Sequence, residues 1–235
     1  MTLEAQQAQY TKEIQRLVNS ALEELAQQHR SGKLVDAPVA NNLFLLRWVT
    51  KALKSQNFHR CVGDDLTRWQ KSGRSKGNDA ALQRIFERIS AFYRHFVADA
   101  EQCDPITDSD IETFLDQMEQ AGWEVSTSEP IVGAGKVQLF TEGQNSLALC
   151  ANQCESCFDG SILVEPMSWF VRGNHNQFIE LAFQAGFMVH KVTAYKSNLK
   201  YHGEYLIFPA NRGEFLAEIP LGFAHDSANH AAKNK

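Results

Sequence analysis

No apolar run in the 235-residue chain approaches the roughly 18 residues of a membrane-spanning helix, which argues against a membrane partner. Cysteine is sparse: five residues, an odd number without repeating spacing, do not make a secreted disulfide scaffold and suit a reducing compartment. Met1 to Tyr10 is polar and Gln-rich, without the charged and then apolar pattern of a secretory leader. Cytoplasmic residence is therefore expected. Recognisable catalytic motifs are missing too. There is no strand-turn-helix nucleophile elbow, no H-E-x-x-H and no pair of His ligands on one helix. Val132-Gly133-Ala134-Gly135-Lys136 lacks the glycine spacing of a phosphate loop and has Val137 where Ser or Thr is needed. What remains is an ordinary globular composition, 43% hydrophobic and 22% charged, sufficient for a core and too apolar for disorder.

The formal net charge of -5 is unevenly distributed. Met1 to Asp104 carries 15 basic against 12 acidic side chains, and the remainder 8 against 16. Arg47 to Arg94 is the sharpest segment, with 11 basic and 4 acidic. Such an excess attracts phosphates or an acidic protein surface; it also arises from solvated helix faces that pair with the acidic second half.

Helical periodicity dominates the first half. Ile14, Leu17, Val18, Ala21, Leu22 and Leu25 form one apolar stripe, with Glu13, Arg16 and Glu24 off it, and Ser31-Gly32 ends that helix. A second helix starts near Pro38 and carries Phe44, Leu45, Trp48, Val49, Ala52 and Leu53. A short third carries Val62, Leu66 and Trp69; a fourth, capped by Asn78 or Asp79, runs from Leu82 to Phe96. After Pro105 a fifth is expected, with a capping box of Ser109 and Glu112 or of Thr107 and Asp110.

Beyond Trp123 the pattern becomes strand-like. Lys136 to Phe140, Ser146 to Cys150, Ile162 to Val164, Trp169 to Val171, Met188 to Tyr195, Tyr201 to Phe208 and Glu214 to Ala217 read as strands, with one helix after Asn174. The expectation is an α+β protein: a helical bundle over 1–104, a smaller α+β unit over 105–224 with a mainly antiparallel sheet and one or two helices, and a disordered tail over 225–235.

Three segments carry a family resemblance: Leu46-Arg47-Trp48-Val49-Thr50-Lys51-Ala52-Leu53-Lys54, then Arg60-Cys61-Val62 with Asp65-Leu66-Thr67-Arg68-Trp69, and Tyr201-His202-Gly203-Glu204-Tyr205. The chain resembles the bacterial domain-of-unknown-function family numbered 2913 over about residues 15–220. That resemblance implies a cytoplasmic bacterial protein. It brings no catalytic residues.

Two constellations can carry function. The first is a basic helical surface of Lys51, Lys54, Arg60, Arg68, Lys71, Arg74 and Lys76. It includes Gly73-Arg74-Ser75-Lys76-Gly77, read as a loop before the fourth helix, where backbone N–H groups can hold a phosphate. Arg60, Asp64, Arg68 and Lys71 would share a face of the third helix, with Asp64 pairing the arginines. The second is Cys150-x3-Cys154-x2-Cys157, whose thiolates can hold zinc or an iron–sulfur cluster, with His175, His190 or His202 as a further zinc ligand. His202 and Glu204 would pair on one side of a strand. The leading expectation is a non-enzymatic accessory or regulatory protein without a resident cofactor, docking a nucleic acid or an acidic protein on the basic surface. The alternatives are a metal or redox protein built on the cysteines and a structural interaction module.

Overall fold

The computed structural model describes residues 3–96, 104–133 and 135–223. They fall into two units, one of residues 3–96 with 222–223 and one of residues 104–221. The expected tail over 225–235 lies outside the described residues.

In the first unit the apolar stripes become helices where they are expected. α1 (Leu3–Arg30) buries Ile14, Leu17, Val18, Ala21 and Leu25, and ends before Gly32, whose φ of +69° suits glycine. α2 (Pro38–Ser55) starts on its proline, which has no N–H to leave unpaired, and buries Leu45, Trp48, Val49 and Ala52. A 3-10 turn over Arg60–Val62 leads into α3 (Gly63–Lys76). α4 (Leu82–Phe96) buries Leu82, Phe86, Ile89, Phe92 and Tyr93, and packs against α1 and α2, while α3 lies along α2. Trp69 of α3 meets Phe86 of α4 edge-on at 4.7 Å, and Phe223 meets Phe92 at 5.4 Å.

Two local readings change. The expected basic loop of Gly73 to Gly77 is the last turn of α3, followed by a 3-10 turn over Gly77–Ala80. Its glycine is there for contact: a Cβ on Gly73 would come within 2.7 Å of the Leu46 side chain. The cap of α4 comes from neither Asn78 nor Asp79. Asn42 reaches over from α2, its Oδ1 accepting the Leu82 N–H at 2.9 Å and its Nδ2 donating to the Gly77 carbonyl at 2.6 Å.

The second unit opens with α5 (Asp108–Gln120), which takes the Thr107/Asp110 capping box. β1 (Glu124–Ser126) pairs in parallel with β2 (Ser146–Leu149). α6 (Ala151–Ser156) and a two-residue hairpin of β3 (Phe158–Asp159) and β4 (Ile162–Leu163) follow. β5 (Met167–Arg172), α7 (His175–Gln184), β6 (Val189–Thr193) and β7 (Gly203–Ile207) complete a five-stranded mixed sheet in the order β1-β2-β5-β7-β6. All pairs after β1·β2 are antiparallel. The protein is α+β, with seven helices among the described residues, four of them in the first unit.

Alternation along β2 and β5 gives the sheet two apolar faces. Leu147, Leu149, Trp169 and Val171 meet Phe114 of α5 and Phe178 of α7, with the Phe114 and Trp169 rings stacked at 5.0 Å. Ala148, Cys150 and Phe170 meet Ile131 and Leu199 on the other face.

The strand expected over Lys136 to Phe140 does not form. β2, the partner it would have in a hairpin, is already flanked by β1 and β5, so only Val137 bridges, to Leu199. Glu214 to Ala217 is not a strand either. It runs beside β6, held by the Glu218 N–H on the Val189 carbonyl at 2.8 Å and by His190 Nδ1 on the Phe215 carbonyl at 2.7 Å. Gly213 lies against that imidazole, where a Cβ would fall 2.1 Å from Cε1. No helix among the described residues is long and apolar enough to cross a membrane.

Two stability tests follow from this packing. Asn42→Ala should cost about 1–2 kcal/mol, because it removes a cap and leaves a helical N–H buried without a partner. Gly213→Ala should cost about 1–3 kcal/mol through overpacking at His190. Denaturant titrations should show lowered midpoints with unchanged slopes; native-like midpoints would contradict the packing described.

Candidate docking surface and cavity

The basic residues of α2 and α3 divide by helical geometry. α2 contains no acidic residue, and it carries Arg47, Lys51 and Lys54. α3 keeps both of its acids, Asp64 and Asp65, in the first turn and its cations in the later turns, which suits the helix dipole. The helices run antiparallel: Leu46 faces Gly73, and Gln70 Nε2 donates to Thr50 Oγ1 at 3.1 Å. With 3.6 residues per turn, this register places Arg47, Lys54, Lys71 and Arg74 on the outer side of the pair, opposite the buried stripe. All four are exposed and make no ion pair among the described residues.

The other expected contacts lie elsewhere. Lys51 is on the α1 side of α2, beside Glu24 and Arg16. Arg60 is not on α3 but in the 3-10 turn before it. Arg68 points to the far flank of α3, where its guanidinium pairs with Asp65, the residue next to the expected Asp64. Lys76 sits at the end of the helix, out of line with Lys71 and Arg74. Asp65 is buried and also accepts the Tyr10 hydroxyl proton at 2.7 Å. Burial raises its pKa against the opposing pull of Tyr10 and Arg68.

A cavity of about 720 Å³ opens at the C-terminal end of α2. Ala52, Leu53, Leu66 and Phe58 give it apolar walls, and Gln56, Asn57, His59 and Arg60 give it polar ones. Its lip is fixed from α1. Glu13 receives Arg16 Nε on Oε2 at 2.9 Å and Arg16 Nη2 on Oε1 at 2.5 Å. Glu13 Oε1 also accepts the His59 N–H at 2.6 Å, and Arg16 Nη2 donates to the Asn57 carbonyl at 2.9 Å. The Arg16 guanidinium lies 4.4 Å from the centre of the Phe58 ring. Gln56 turns the chain at the lip with φ of 51°, in the left-handed region where side chains are uncommon. The spacing Glu13-x-x-Arg16 was the available sequence signal. Glu13 lies off the apolar stripe, yet it is buried.

The cysteines are divided between the two faces of the sheet. The segment expected as strand end and loop is α6, with Cys150 before it and Cys157 after it. Cys150 packs with Phe170 and Leu199, and its Sγ accepts the Val132 N–H at 3.2 Å. Cys154 and Cys157 pack on the opposite core. Burial raises both of these thiols, Cys154 to about 11. Among the described residues no group of three His, Cys, Asp or Glu side chains is placed to hold a metal ion.

The histidines serve the second unit's interior. His202 does not pair with Glu204, which instead accepts from Ser168 Oγ at 2.9 Å. The Lys200 carbonyl takes the His202 Nδ1 proton at 2.8 Å, so Nε2 accepts from Ser146 Oγ at 2.9 Å. That serine–histidine pair is closed to substrate, at 0% and 1% exposure. His175 Nδ1 meets the Tyr205 hydroxyl at 2.7 Å, and burial pushes His190 down to about 4. Gly73-x-Ser75-x-Gly77 has the residue spacing of a nucleophile elbow, but it lies in a helix with no strand before it.

The Arg16 hydrogen bonds hold the Glu13 carboxyl below its ordinary value of 4.5, against a smaller opposing effect of burial. A depressed carboxylate contributes stability that is full above the unfolded pKa and is lost as pH falls through the folded value. Glu13→Gln should therefore be about 1–2 kcal/mol less stable than the native chain at neutral pH. The gap should narrow below about pH 4, as measured by urea unfolding across pH. A gap constant down to pH 2.5 would contradict this assignment.

No curated protein and no solved structure matches the chain. A family model described as "Protein of unknown function (DUF2913)" matches residues 9–220, both units included. The chain belongs to that family.

Proposed function

We propose that the helical unit is a non-enzymatic accessory or regulatory module that docks on the phosphate backbone of a nucleic acid. The observation that carries this reading is the outer side of α2 and α3: Arg47, Lys54, Lys71 and Arg74 stand together, exposed and without a carboxylate partner among the described residues. Cations that serve only to solvate a helix are commonly interleaved with acids at i,i+4. Here α2 supplies no acid. Lysines and arginines in this arrangement neutralise phosphates and release counterions, and they read no sequence. Arg60, in the 3-10 turn that follows, extends the positive field past the end of α2.

Fluorescence anisotropy of labelled duplexes over a series of salt concentrations tests the reading. Four phosphate contacts give a slope of log K against log[salt] of about -3.6. Charge reversal at Lys54, Lys71 and Arg74 should remove about three-quarters of that slope. A slope shallower than -1, or a triple variant with the native slope, overturns the reading. Poly-glutamate in place of the duplex identifies the other outcome: tight binding of poly-glutamate with none of nucleic acid would make the partner an acidic protein.

A further inference from the structure

We propose that the cavity beside Arg16 receives a single nucleobase, with its phosphate on Arg60. The base would belong to a free nucleotide or to a single strand lying along α2. For the single strand, the inference rests on the function proposed above; for the free nucleotide, it stands without it.

Arg16 is the centre of the argument. Its guanidinium is locked in plane by two hydrogen bonds to Glu13 and one to the Asn57 carbonyl. One face is spent on Phe58, at 4.4 Å from the ring centre. The side chain is nevertheless 48% exposed. A half-exposed guanidinium, held by hydrogen bonds and seated over an aromatic ring at a cavity edge, offers its open surface to a flat π-system. Bases stack on arginine planes in this way, extending an aromatic–cation stack by one layer. The cavity of about 720 Å³ falls within the range of small-ligand sites.

The walls match the rest of a nucleotide. Gln56, Asn57 and His59 bring amide and backbone groups of both hydrogen-bonding senses to the cavity, as recognition of a base edge requires. Arg60 is exposed on the rim and has no ion-pair partner among the described residues, which leaves it for a phosphate. Lys54 lies two residues before the left-handed Gln56 that shapes the lip, so a strand following the α2 cations would reach the mouth. Duplex bases are already stacked and paired, so the cavity favours an unpaired base.

Gly63 supplies a blocking variant. It lines the cavity, its φ is -63°, and a Cβ built on it meets nothing within 4 Å. Gly63→Leu should project a side chain into the cavity and obstruct it without straining the start of α3. Arg16→Lys keeps the charge and removes the plane. Native and variant full-length chains would be titrated with a labelled 12-nucleotide single strand, an abasic strand of the same length, a duplex and AMP, with thermal unfolding checked for each.

The single strand should bind about tenfold tighter than the abasic strand, the scale of one base stack. Gly63→Leu and Arg16→Lys should each abolish that preference while leaving the salt slope on duplex intact. Equal binding of all three oligonucleotides with a steep salt slope, and no AMP binding, overturns this inference and leaves the docking function standing. AMP binding that Gly63→Leu abolishes, without any oligonucleotide binding, supports the cavity and overturns the docking function. An AMP or single-strand affinity unchanged in Gly63→Leu overturns the inference, as does the absence of all binding.

Discussion

The Glu13 carboxylate organises the cavity end of the helical unit. From the middle of α1 it holds a guanidinium in the same helix and a backbone N–H 46 residues away. Together these bonds fix where the chain leaves α2 and enters the 3-10 turn. Without them Gln56 to Arg60 would be a solvated connection; with them it is the wall of a cavity. A buried carboxylate is costly unless its oxygens are satisfied, and here both are occupied. The same bonds that make the burial tolerable also build the arginine platform.

The charge pattern gains meaning from this geometry. Most of the unit's polar contacts are internal. Asn41 accepts from His29 and donates to Asp36 and Gln83, Asn42 caps α4, and Tyr10 and Arg68 satisfy Asp65. Against that economy, the outer row of α2 and α3 is conspicuous for being left over. The row differs in this respect from Arg68, whose guanidinium is spent on Asp65.

How much of this was legible in the sequence depends on the range of the interaction involved. The apolar stripes of α1, α2 and α4 and the box of Thr107 and Asp110 are local, and periodicity and spacing reveal them. β2, β5, β6 and β7 were visible as alternating or apolar runs. What failed was long-range. The α4 cap is 40 residues distant in Asn42, and β1 takes the side of β2 that a 136–140 hairpin would have used. The cysteine spacing suggested convergence, but strand alternation sends Cys150 to one face of the sheet and α6 returns Cys154 and Cys157 to the other. Of the seven basic residues, Lys54, Lys71 and Arg74 share a side, and Arg47 joins them; Arg16 and Glu13 lie off the apolar stripe of α1, and spacing alone does not show that they meet the chain after α2.

The segment running beside β6 gives the sheet a protection that its topology alone does not provide. An open five-stranded sheet presents two edges, and an unpaired edge is a template for another chain. At one end β1 is only three residues long. At the other, the Glu218 N–H occupies the Val189 carbonyl, and the Phe208 and Phe215 rings close over His190. The last stretch of the second unit thus works as a guard against self-association. A chain cut just after Ile207 would leave the Val189 carbonyl and the His190 ring of β6 uncovered, an edge open to strand addition by another copy.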